Sequence, residues 1–192
     1  MGLFSKEAIK AVNVMVQNAS QTIAKSRNHT EKFVFASIPA SVEELKALPE
    51  ASLDSAFKTT ALCVAVLCNL EKDLAATWEM LDYLKGPESV SEREKAFIKE
   101  RLLGKTYKAL SFFEGATPDN GYTPTTPYTI TVSENPYSFD EENWATLYVT
   151  SGGADAKRPI KLRRKPSTNQ WFVNEIQCLA DIRIPTEQDA WA

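Results

Sequence analysis

The apolar residues of this chain change their spacing once, near Glu114, and that change restricts the fold more than any other feature. Before it they recur at the helical period of about 3.6 residues; after it they alternate, as strands do. Helices first and strands last is the α+β pattern, with helices packed on one face of an antiparallel sheet. The 192 residues fit one domain, and a chain of this size buries roughly 70% of its unfolded surface without help from disulfide or metal.

Ile9, Val12, Val16, Ala19 and Ile23 form one stripe and predict a first helix within residues 1–30, stopped by Arg27-Asn28-His29. Phe33-Val34-Phe35-Ala36 is a short apolar run, either a strand or a core anchor. The helical part then covers 41–113. Ser41 with Glu44 and Ser91 with Glu94 have capping-box spacing, and Pro49 limits the helix that Ser41 opens. From near Leu53, the segment containing Phe57, Ala61, Leu62, Val64, Val66 and Leu67 is apolar on every side, which predicts a buried central helix. Leu74, Trp78 and Leu81 set the face of the next helix, and Gly86-Pro87 end it. Tyr107–Phe113 reads equally as helix or strand.

The segment 114–127 is rich in Gly, Pro, Thr, Asn and Asp and predicts a crossover loop. Alternating runs at Tyr128–Val132, Trp144–Thr150, Ile160–Arg164 and Trp171–Ile176 then predict a four-stranded antiparallel meander within 128–185. Ala145, Leu147 and Val149 share one face. Ser151-Gly152-Gly153 reads as a hairpin connection in which glycine supplies positive φ. Residues 186–192 read as a frayed tail. Trp78, Trp144 and Trp171 are expected in the core.

A net charge of −3 argues against nucleic-acid binding over the whole surface, since phosphate neutralisation needs a basic face. Cys63, Cys68 and Cys178 have no metal-ligand spacing and fit a reducing compartment. Met-Gly-Leu-Phe-Ser-Lys lacks a signal-peptide core, and Lys6 breaks the myristoylation pattern. No apolar run approaches the roughly 20 residues of a membrane span. These features predict a cytoplasmic protein.

Two stretches carry a resemblance. Phe112-Phe-Glu-Gly-Ala-Thr-Pro-Asp-Asn-Gly-Tyr-Thr-Pro124 runs on to Pro127-Tyr-Thr-Ile-Thr-Val132, and Arg158-Pro-Ile-Lys-Leu-Arg163 precedes Gln170-Trp-Phe-Val-Asn-Glu175. Over residues 35–185 they resemble an uncharacterised bacterial family, a domain of unknown function found mainly in Gram-positive anaerobes. The resemblance implies a bacterial, cytoplasmic protein and transfers no activity.

The candidate chemistry is sparse. His29 is the only histidine, no serine sits in a Gly-x-Ser-x-Gly elbow, and a helix-end position explains a histidine without catalysis. Asp140-Glu141-Glu142 lacks the spaced ligands and turn glycine of a calcium loop and reads as a solvated turn. No catalytic residue, metal or cofactor is expected. Lys157-Arg158-Pro-Ile-Lys161-Leu-Arg163-Arg164-Lys165 is the outstanding charge feature. On a strand, Lys161, Arg163 and Lys165 share one face; they read either as an anion site or as a solvated edge guarded by charge. The loop 115–127, with Asn120 and Tyr122, reads either as a recognition loop or as a structural crossover. The leading expectation is a non-enzymatic binding module that meets an anionic ligand or protein through Asn120, Tyr122, Arg158, Lys161 and Arg163. The alternative is a small-molecule enzyme with Tyr122, Asp119 and Arg158 in a cleft between helices and sheet. Self-association through the first helix is a third reading.

Overall fold

The computed structural model describes residues 28–191. The predicted first helix, and the self-association assigned to it, fall outside the described residues. Asn28 and His29, the expected helix stop, lead directly into a strand.

That strand, β1 (Thr30–Phe35), corrects the four-stranded expectation. The sheet has five strands, all antiparallel, in the order β1, β2 (Tyr128–Ser133), β3 (Trp144–Val149), β4 (Arg158–Lys165) and β5 (Gln170–Ile176). Phe33 stands opposite Ile130, and Phe35 opposite Tyr128. Phe33 and Phe35 are buried while Val34 is exposed, so β1 alternates as a half-wet edge strand should. Its partner lies almost a hundred residues further along the chain, and six residues give too short a local pattern to reveal it. The helices therefore stand between β1 and β2 in sequence, not ahead of the sheet.

Five helices fill that interval: α1 (Val42–Ala47), α2 (Ala56–Leu67), α3 (Leu74–Lys85), α4 (Glu92–Leu102) and the short α5 (Tyr107–Leu110). Ser55 caps α2 by accepting from the Phe57 amide at 3.2 Å. Every residue of α2 except Lys58 is buried, as its all-round apolar sequence predicts. It packs on all five strands. Burial of Leu62, Val64, Val66 and Leu67 contributes about 1.5–3 kcal/mol per side chain. Thr60 donates locally to the Ala56 carbonyl, and Thr59 donates to Trp171 O at 2.9 Å, which ties α2 to β5. Ser91 and Glu94 form the full capping box at the start of α4.

β2 and β3 pair only through Val132–Val149 and Ser133–Tyr148. The loop 134–143 continues the edge of β3, with Thr146 N donating to Ser138 O at 2.9 Å. Ala145, Leu147 and Val149 face the core, as their alternation predicts. Trp144 therefore points outward and is not the core residue expected, while Trp78 and Trp171 are half-buried and pack against the core. Tyr107–Phe113 divides: α5 ends at Leu110, and Phe113 makes an isolated bridge to Ile130. The expected frayed tail is ordered at its start: Thr186–Gln188 form a helical turn, and Thr186 Oγ1 donates to Asp119 Oδ1 at 2.8 Å, which docks it on the crossover loop. Trp191 is exposed.

The glycines of the β3–β4 link are needed for closeness, not for positive φ. Neither Gly152 nor Gly153 is among the positive-φ residues. A Cβ on Gly152 would sit 1.9 Å from the Ala116 carbonyl oxygen, and one on Gly153 would sit 2.1 Å from the Tyr122 hydroxyl. The link is pressed against the crossover loop with no room for a side chain.

Candidate anion-binding face

β4 sorts its cations by alternation. Lys157, just ahead of the strand, donates to Ser133 Oγ at 2.8 Å. Arg158 Nη2 donates to the Asp181 carbonyl at 2.7 Å, with the Asp181 carboxylate 4.0 Å away. Arg164 Nη2 donates to Asn169 Oδ1 across the β4–β5 turn. These three are engaged in holding the fold.

Lys161 and Arg163 are placed differently. Both point to the outer face, where Arg163 stands opposite Trp144 on one side and Phe172 on the other. Lys161 Nζ lies 4.7 Å from the Trp144 ring centroid, and Arg163 Cζ lies 5.1 Å from it. Each contact is worth about 0.5–1 kcal/mol at an exposed site and holds the cation in place without neutralising it. Among the described residues, no carboxylate lies within ion-pair distance of Lys161, Arg163, Arg164 or Lys165. Glu175, which pairs with Lys161 in register, accepts instead from Gln177 Nε2 at 2.6 Å.

A groove of about 300 Å³ opens beside this face, between the C-terminus of α3 and the β4–β5 hairpin. Arg163, Arg164 and Lys165 line one side, Phe172 and Asn174 another, and Lys85, Pro87 and Glu88 the third. Gly86 makes the approach possible: at φ 70° it turns the chain off α3, and a Cβ there would meet the Phe172 ring at 2.4 Å. Lys85 is only 8% exposed. Its ammonium donates to the Glu94 carboxylate and to Asn174 O at 3.3 Å. Burial tends to raise the Glu94 carboxyl, but the hydrogen bonds from Lys85 and Ser91 outweigh it and hold the group below its ordinary value.

The crossover loop has the opposite character. Asn120 Oδ1 accepts from Thr117 N at 3.0 Å and Thr123 N at 3.1 Å, while Nδ2 donates to Gly115 O at 2.8 Å and Thr123 O at 3.1 Å. The amide has filled its hydrogen-bonding capacity inside its own loop. Tyr122 is 0% exposed, stacks on Tyr107 with centroids 5.4 Å apart, and donates its hydroxyl to Arg183 O at 2.6 Å. Asp119 lines an open hollow of about 680 Å³ with Arg183 and Asp189, but Tyr122 and Arg158 do not line it. The structure thus joins Lys161 with Arg163 and leaves Asn120, Tyr122 and Arg158 as separate structural contacts.

His29 sits beside Glu31, with Nε2 and Oε1 2.9 Å apart, and its ring meets Phe57 edge-on. The three cysteines are free and buried. Burial pushes the Cys63 thiol up to about 12 and raises Cys68 and Cys178 as well, the reverse of nucleophile activation. Among the described residues no cluster of His, Cys, Asp and Glu could hold a metal ion, and no helix is long and apolar enough to cross a membrane.

Sequence reasoning missed Trp144, Lys85, Glu88 and Phe172. The alternation that buries Ala145 already places Trp144 outward; no local signal links Lys85 to Phe172. A model of the domain of unknown function DUF6935 matches residues 37–186, and the chain belongs to that family. No curated protein and no solved structure matches it.

Proposed function

We propose that this family member is a non-enzymatic binding module of the bacterial cytoplasm that takes an anionic ligand on the outer face of β4. One observation carries the reading: Lys161 and Arg163 flank Trp144 and, with Lys165, have no carboxylate in ion-pair distance among the described residues. In a chain of net charge −3, unneutralised cations gathered on one strand create a local positive potential. Arginine beside lysine suits phosphate or carboxylate oxygens, because the guanidinium offers two parallel donors and the ammonium a point charge. Three buried, free thiols agree with a reducing compartment.

The alternative of a small-molecule enzyme has less support. The Tyr122 hydroxyl, the Asp119 carboxylate and the Arg158 guanidinium are each engaged in separate structural bonds.

Calorimetric titration with inorganic tripolyphosphate at low and high salt tests the proposal. Binding is expected to weaken with salt, and the double change Lys161→Glu with Arg163→Glu to reduce affinity by more than about tenfold, a loss of at least 1.4 kcal/mol. Affinity indifferent to salt and to both substitutions would refute it.

A further inference from the structure

The groove beside β4 has a composition that the outer strip around Trp144 lacks. Its cations are Arg163, Arg164, Lys165 and Lys85, and its one lining carboxylate is Glu88. Lys85 is already matched by Glu94, and the Arg164 head is held by Asn169. Arg163, whose guanidinium also lies 5.1 Å from the Trp144 ring, and Lys165 line it as exposed cations with no carboxylate in ion-pair distance among the described residues. The other walls are Phe172, Val173, Pro87 and Pro166, all apolar, and Asn174.

Size and composition together narrow the ligand. About 300 Å³ lies at the small end of ligand sites. A polymer would lie across the open strip and make no use of an apolar recess. A bare inorganic ion would leave Phe172 and the prolines without a partner. A phosphate monoester carries a charge approaching −2 at neutral pH, against the two cations Arg163 and Lys165. From this we infer that the groove is a site for a small organic phosphate, with the phosphate between Arg163 and Lys165 and a flat apolar body against Phe172 and Pro166. The inference rests on the anion-binding reading above, shares Arg163 and Lys165 with it, and assigns an adjoining groove and a ligand class. Lys85 sets the inner end of the groove: its Glu94 and Asn174 bonds join α3, α4 and the β4–β5 hairpin, so the walls are held together before any ligand arrives.

The test compares phenyl phosphate, inorganic phosphate and benzoate by calorimetry on the full chain, with thermal melting to confirm that each variant folds. Phenyl phosphate is expected to bind about tenfold or more tighter than either of the others. Glu88→Lys should tighten it several-fold, Lys165→Glu should weaken it about tenfold, Pro166→Asp should weaken it without affecting inorganic phosphate, and Lys161→Glu should leave it within about twofold. Phenyl phosphate that binds no better than inorganic phosphate would overturn the groove assignment. So would binding that responds to Lys161→Glu and ignores Glu88→Lys and Lys165→Glu. In either case the anion-binding reading stands or falls separately, on the tripolyphosphate titration.

Discussion

Two regions rich in polar residues behave in opposite ways. The loop 115–127 satisfies its polar groups internally: Asn120 is exposed but closes four hydrogen bonds on the backbone of Gly115, Thr117 and Thr123, and Tyr122 is buried with its hydroxyl on Arg183 O. β4 turns Lys161, Arg163 and Lys165 outward, because each strand residue that faces the core sends the next to the other side. Length and polarity made the loop look like a recognition surface. What matters is whether a polar group already has its partners, and by that measure the loop is complete and the outer face of β4 is not.

The sharpest way to break this contrast is Gly152→Ala. A Cβ 1.9 Å from Ala116 O forces the link off the loop, and the expected loss is about 3 kcal/mol or more, on the scale of severe overpacking. That corresponds to a fall in melting temperature of about 6 °C or more. An unchanged melting curve would show that loop and link are not locked together. Asn120→Ala comes next, with about 2 kcal/mol expected from the loss of four hydrogen bonds that together hold the loop, read from denaturant midpoints. Tyr122→Phe removes one buried bond of 2.6 Å and should cost about 1 kcal/mol.

The smallest effect concerns the wall of the groove. The folded-state value of Glu94 lies below its ordinary 4.5, so its pairing with Lys85 stabilises the fold above that pH. The contribution is lost as pH falls from 4.5 through the lower folded-state value. A Glu94→Gln variant should therefore lose less melting temperature on acidification over that window than the parent chain. Identical acid profiles would remove Glu94 from the account.

Much of the scaffold is legible from local pattern. The all-round apolar run of α2, the Ser91–Glu94 capping box, the Gly86-Pro87 stop and the inward set Ala145, Leu147 and Val149 follow from chemistry within one or two turns or strands. What was not legible depends on distant partners. The run at Phe33–Ala36 leaves a strand open, but its place in the sheet is set only by β2, and Gly152 is explained only by Ala116, which lies in another part of the chain. The site divides the same way. Lys161 and Arg163 could be placed on one face from β4 alone, and Trp144 beside them was available from the alternation of β3. The groove needed Lys85 and Phe172 together, and nothing local announces that they meet.

The most direct test of the contrast measures two properties on two variants, Asn120→Ala and Arg163→Glu: the melting temperature and the affinity for tripolyphosphate. The account predicts a crossed result. Asn120→Ala should lower the melting temperature by about 4 °C or more and leave affinity near the parent value, while Arg163→Glu should keep the melting temperature within about 1–2 °C and weaken binding several-fold or more. Loss of affinity in Asn120→Ala with retained affinity in Arg163→Glu would contradict it and return the binding surface to the loop.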